Sequence, residues 1–190
     1  MKTVARSTEV HPELATLSIP VEDEAQAYKA RYIFAVTRVA LAWVFLWAFL
    51  DKTFGLGFAT AGEDAWINGG SPTYGFLNFA TEGKVFHDFF AGLSGPAADW
   101  GFMVGLLGIG VALLLGIGMR IAAGAGSVLL GLMWAAELRL ENNPFMDDHI
   151  IYTVVLIALA VFGAGRTWGL GRTWDPVSYT HLTLPTIYSV

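Results

Sequence analysis

The densest polar feature outside the N-terminal region is Asn143-Pro-Phe-Met-Asp-Asp-His149. An imidazole flanked by carboxylates can pass protons near neutral pH, because its reference pKa lies close to 7. Glu137 closes an apolar run just upstream, and an ionisable group at such a place is a functional candidate by default. We assign proton-handling, catalytic roles to Glu137, Asp148 and His149. Pro144 sets a turn, and Asp147 or Asp148 is placed to cap the helix that follows. Lys52 and Arg139 offer positive charge that would attract an anion. Asp147, His149, Glu137 and His87 are metal-ligand types, but ligand type is all that favours a metal, and we assign none.

These groups must be positioned by apolar segments. Apolar residues make up 55% of the 190 residues and charged residues 14%, far from the quarter or so expected of a soluble domain. A net charge of −5 argues against a nucleic-acid binder, and the absence of cysteine removes disulfides, thiol catalysis, iron–sulfur ligation and Cys-based zinc sites. Four runs are long and apolar: 33–50, 100–119, 121–138 and 150–165. Each is near the length that crosses a hydrocarbon core of about 30 Å at about 1.5 Å per residue. The reading is therefore an all-α integral membrane four-helix bundle spanning 32–174, entered by a polar tail at 1–31. Almost no loop separates the second and third runs, which predicts a tight antiparallel hairpin. Gly101 and Gly105, and the ladder Ala123, Ser127, Gly131, Ala135, are spaced for close helix packing.

Lysine and arginine placement orients the bundle. With the N-terminus inside, Lys29, Arg31, Arg120, Arg166 and Arg172 lie inside, and Lys52, Lys84 and Arg139 lie outside. Both termini are expected in the cytoplasm of a multi-pass protein of the cytoplasmic membrane. Asp51, Lys52, Glu137, Arg139, Asn143, Asp147, Asp148 and His149 then gather at the outer end. Over them runs the long connection 51–99, rich in Trp66, Tyr74, Phe76, Phe79, Phe86, Phe89 and Phe90. It reads as a partly helical cap, with a short amphipathic helix within Lys84–Leu93 between turn signals at Asn68–Pro72 and Ser94–Pro96. Arg38, inside the first run, faces no acid in the inner half of any span. It must snorkel, reach Glu22–Glu24, or contact carbonyls or a lipid phosphate. Val177–Thr186 reads like the translation of a common sequencing adapter, so 177–190 is taken as an artefact and His181 is given no role.

Several of these features together resemble the DoxX family of membrane proteins, in its DoxD-like branch of the thiosulfate:quinone oxidoreductase small-subunit type. They are Arg38, Phe45-Leu-Trp-Ala-Phe-Leu-Asp-Lys52, Trp66 with Gly70-Ser-Pro72, the hairpin Gly110–Arg120, and Asn143–His149. The likeness covers about Arg31 to Trp174. It implies a membrane subunit of a quinone-linked redox system in which thiosulfate is oxidised and electrons pass to quinone. The alternative it leaves open is a non-catalytic anchor or assembly partner for a soluble redox or detoxification enzyme. On the first reading Arg38, Lys52, Trp66, Trp134, Arg139, Asn143 and Asp147 bind substrate or quinone. Quinone is then a diffusible electron acceptor, and no bound cofactor is indicated. With no cysteine, haem motif or cluster ligands in the chain, a second redox subunit is the expected partner beside the lipid bilayer. A transporter is disfavoured, since no inverted repeat or broken central helix is visible.

Overall fold

The computed structural model describes residues 21–140 and 143–174. The N-terminal part of the polar tail and the adapter-like segment 177–190 lie outside the described residues. Among the described residues every regular element is helical. The α-helices are α1 (Val21–Phe54), α2 (His87–Ala91), α3 (Pro96–Leu115), α4 (Met119–Ala136) and α5 (Asp148–Val161). Among the described residues, three segments are long and apolar enough to cross a membrane: Ala25–Phe54, Pro96–Leu115 and Met119–Ala136. The fourth apolar helix, α5, has 14 residues, about 21 Å at the standard rise.

Helix ends follow backbone chemistry rather than hydropathy, so they are offset from the apolar runs. The first helix begins at Val21, taking in the part of the tail expected to lead up to it. Pro96 sits in the first turn of α3, where its missing N–H is harmless. Gly116, at φ 71°, ends that helix in the left-handed conformation that glycine tolerates. The α3–α4 hairpin is as tight as expected, closing over Gly116–Gly118. Gly163, also left-handed, turns the chain after α5 into a 3-10 turn at Ala164–Arg166.

Helices α1 and α3 pack along each other, as do α4 and α5, and the α3–α4 hairpin joins the pairs. Their shared core contains Leu41 and Phe45 of α1, Met103 and Leu113 of α3, Leu130 of α4 and Leu156 of α5. A third or less of each membrane-length segment is buried, so apolar side chains such as Val36, Trp43, Val104, Ile121, Val128 and Val154 face outward. Water would penalise so broad an apolar surface; a hydrocarbon environment would not. The closest approaches are made by glycine. A Cβ at Gly110 would lie 2.7 Å from Leu46 of α1, and one at Gly126 would lie 2.5 Å from Leu156 of α5. The ladder expected in α4 is only partly used, because Gly131 meets nothing within 4 Å, and neither does Gly101 in α3.

Arg38 is completely buried. Its guanidinium donates to the carbonyls of Leu113, of Leu114 at 2.8 Å and of Trp168 at 2.9 Å, with a longer bond to Thr167 at 3.4 Å. Of the contacts open to it, Arg38 therefore takes carbonyls and does not snorkel. The last carbonyls of a helix have no intrahelical donor, and the negative end of the helix dipole favours a cation there. One side chain thus ties α1 to the end of α3 and to the segment after α5. The backbones it joins lie so close that a Cβ at Gly165 would sit 2.3 Å from the Gly116 carbonyl oxygen.

Replacing Arg38 with Leu will lower the thermal unfolding midpoint in detergent, with a loss of about 3 kcal/mol, because several dry carbonyls lose a charged donor. Arg38→Lys will recover only part, since an ammonium cannot bridge both sets of carbonyls as a planar fork does. An Arg38→Leu protein melting like wild type would contradict this role.

Candidate functional site

At the far end of α3 and α4 from Arg38, the connection from Gly55 to Gly95 folds over the bundle. It contains 3-10 turns at Gly62–Asp64 and Trp66–Asn68, a π-helical turn at Phe76–Ala80, and α2. The partly helical cap is thus present, with its short helix at His87–Ala91. Two buried carboxylates hold it down. Asp51 accepts the backbone N–H groups of Phe58 at 3.3 Å and Ala59 at 2.9 Å. Asp99, in the first turn of α3, accepts from Ser71 Oγ (2.8 Å), Thr73 N (3.1 Å) and Thr73 Oγ1 (2.6 Å). The sequence reading missed Asp99. Its signal was an acid in the first turn of a helix started by proline, facing a Ser-Pro-Thr turn.

Trp66 belongs to the same scaffold. Its ring meets Trp100 edge-on at 4.7 Å between centroids, and it packs against the core. Thr81, fully buried at the end of the π-helical turn, donates to the Leu77 carbonyl and pairs with His87 Nδ1 at 2.9 Å. His87 is therefore engaged inside the cap.

The polar segment before α5 is built by local hydrogen bonds. Asn143 Oδ1 accepts from the N–H groups of Phe145 (3.0 Å) and Met146 (2.9 Å), a side-chain mimic of a backbone turn. Trp134 Nε1 donates to the Phe145 carbonyl at 2.9 Å and fixes this turn to α4. Asp147 is the cap of α5, its Oδ1 accepting from Ile150 N at 3.1 Å. Its other oxygen lies 2.8 Å from His149 Nδ1, and both side chains are 12% exposed. Asp148 is open to solvent, with an oxygen 3.6 Å from the same nitrogen. Candidate ligand atoms of Glu137, Asp147 and His149 all lie within 4.8 Å of one another. Arg139, at φ 89°, donates to the Gly83 carbonyl, and its own carbonyl accepts from Lys84.

The residues expected at the outer end divide between two compartments. A polar basin of about 910 Å³ is lined by Glu137, Arg139, Asn143, Asp147 and Asp148, with Glu82 and Lys84 of the cap. A second cleft of about 680 Å³ lies between α3 and α4 and is almost wholly apolar. Its walls include Phe76, Leu77, Phe90, Phe102, Leu129 and Leu132, and Lys52 reaches into it from α1. Gly101, Gly105, Gly124 and Ala125 line it too, so these small residues leave room between the two helices. The π-helical turn is the partition: Phe76 and Leu77 face the cleft, Phe79 and Ala80 the basin.

Of the residues assigned to binding, Lys52 alone lines the cleft. Its ammonium stands 5.9 Å from the centre of the Phe102 ring and makes no hydrogen bond among the described residues. Arg139, Asn143 and Asp147 line the basin. Trp66 and Trp134 line neither and act as scaffold. Arg38, also assigned to binding, lines neither compartment. No family model, curated protein or solved structure matches this chain.

Removing the Asp99 carboxylate will release the cap without unfolding the bundle. Asp99→Ala leaves the Ser71 and Thr73 donors unpaired, a local loss of about 1–3 kcal/mol. Chymotryptic cleavage between residues 55 and 95 will accelerate while the far-ultraviolet circular dichroism stays helical. Unchanged cleavage would show that other contacts hold the cap.

Proposed function

We propose that this chain is the membrane-embedded subunit of a quinone-linked redox system, with α1, α3, α4 and α5 as its four spans and both termini in the cytoplasm. The observation that supports it best is the apolar cleft with one ammonium inside. A quinone head is a flat apolar ring with two carbonyl acceptors, and sites for such molecules are apolar pockets with few, well-placed polar groups. The cleft has the volume for such a ring and the first part of its tail, and Lys52 is a donor without a hydrogen-bonded partner among the described residues. Outward-facing apolar side chains on α3 and α4, among them Val104 and Val128, would place its opening toward lipid, where quinones dissolve.

The likeness to the DoxD-like branch makes thiosulfate the reductant to test. Two thiosulfates joining as tetrathionate release two electrons, and a quinone takes two electrons and two protons to become a quinol. The chain has no cysteine, so a second subunit would provide the sulfur chemistry. Glu137 and Asp148 at the basin, with His149 behind Asp147, are suited to exchange protons with the aqueous side.

A second reading, an anchor or assembly partner without chemistry of its own, is favoured by the apolar side chains exposed on the cap. Phe58 is 75% exposed, Phe79 66% and Phe89 61%, which would suit a protein surface resting there.

Two experiments test these readings. In proteoliposomes containing ubiquinone or menaquinone, wild-type protein will bind quinone, with tryptophan quenching as the readout. Lys52→Ala will weaken that binding at least tenfold, and Gly105→Leu, which fills the cleft while leaving Lys52 in place, will abolish it. If neither substitution changes quinone binding, the cleft is not the site. Thiosulfate-dependent quinone reduction, with a co-purifying subunit added, then separates a redox subunit from an anchor. For topology, the cysteine-free chain permits single-cysteine labelling. Cysteines at Glu63 and Asp148 will label from one side of the membrane, and those at Arg120 and Arg172 from the other. Labelling of Asp148 and Arg172 from the same side would remove α5 from the set of spans.

A further inference from the structure

We infer that Glu137, Asp147 and His149 form a binding site for one divalent transition-metal ion beside the basin that Glu137 and Asp147 line. The inference concerns the basin alone and does not depend on quinone occupying the cleft.

The donor set is one imidazole nitrogen and two carboxylates from separate elements. Glu137 follows the last turn of α4, Asp147 caps α5, and His149 lies in the first turn of α5. Their candidate ligand atoms fall within 4.8 Å of one another. Two cis ligands each about 2.1 Å from a metal stand about 3.0 Å apart. The 2.8 Å between His149 Nδ1 and Asp147 Oδ2 is close to that edge, so a small adjustment would let both bind one ion. The outermost pair need only close from 4.8 Å or less, which a carboxylate can do by rotating about its side-chain bonds.

Two further features favour an ion over a self-contained hydrogen-bond cluster. The Glu137 carboxylate makes no hydrogen bond among the described residues, although it is partly buried and lines the basin. It also adds a negative charge to a place that already holds Asp147 and Asp148, with Asp148 only 3.6 Å from the imidazole. The arrangement that brings these groups together is set by other bonds, namely Trp134 to Phe145, the Asn143 turn and the capping bond of Asp147 to Ile150. The donors thus converge as a consequence of backbone architecture, which presents them already assembled to an ion. Two of the three ligands line a wide basin, which describes an accessible site in which water completes the coordination. Nitrogen-plus-oxygen donors suit zinc or manganese better than calcium, which takes oxygen alone.

The test uses the full chain in detergent, stripped with a chelator and then exposed separately to Zn²⁺ and Mn²⁺. Wild-type protein should retain about one equivalent of at least one of these after gel filtration, measured by atomic emission, and its thermal midpoint should rise with that metal. Glu137→Gln, nearly isosteric and outside the helix cap, should weaken binding at least tenfold with its apo melting temperature unchanged. His149→Ala should weaken metal binding likewise. His87→Ala and His181→Ala, which alter histidines elsewhere in the chain, should bind like wild type. Less than a tenth of an equivalent of either metal on the wild type would overturn the site. So would binding that survives both Glu137→Gln and His149→Ala, or that disappears in His181→Ala.

Discussion

A guanidinium sealed among apolar helices, with only backbone carbonyls to satisfy it, is the constraint on which the architecture rests. The end of α3 needs donors for its last carbonyls, and in a dry surrounding water cannot supply them. Arg38 supplies them and at the same time reaches Trp168. Its position on α1 therefore fixes the register of α1 against α3 and brings the chain after α5 back to the same point. Because Gly116 and Gly165 cross there almost in backbone contact, larger residues cannot enter without moving the carbonyls that Arg38 holds. The remainder of the bundle is ordinary apolar packing arranged around this knot.

The opposite end is organised by carboxylates. Asp51 and Asp99 are spent on fastening the cap, whose backbone N–H groups and hydroxyls they accept. Asp147 divides its oxygens between the helix cap and the imidazole. Glu137 and Asp148 remain for the basin. Acids that look alike in composition thus separate by whether a nearby turn presents donors to them. The same sorting separates the cationic groups, since Lys52 enters an apolar cleft while Arg139 is drawn to the Gly83 carbonyl.

Much of the helical framework was legible in the chain. The apolar runs mark α1, α3, α4 and α5 because their lengths and lack of charge leave no other economical element. Most of their ends were displaced by a few residues, since Pro96, Gly116 and Gly163 set boundaries that hydropathy does not register, whereas α1 reaches back to Val21, well before its apolar run. A cap from Asp147 or Asp148 followed from residue type and position, and the structure gives it to Asp147. The fate of Arg38 was left open, because no local pattern tells whether an arginine in a span will meet water, an acid or a distant carbonyl. Asp99 escaped notice for a related reason: its partners, Ser71 and Thr73, are far away in sequence. The spacing of Gly101 and Gly105 suggested close helix contact, whereas the structure uses their missing side chains as space. A gap and a close approach have the same sequence signature when the neighbouring helix is unknown.

The inequality of the helices bears on the surrounding solvent. With α1 and α5 both as spans, a bilayer would meet 30 residues of membrane-length segment beside α1 and 14 beside α5. Hydrocarbon about 30 Å deep cannot be matched by a helix of about 21 Å without local thinning, so lipids would be pinched along one flank and relaxed along the other. A protein of this shape would settle most comfortably in thin or short-chain lipid, and its preference among membranes would be written in the stubbiness of a single helix.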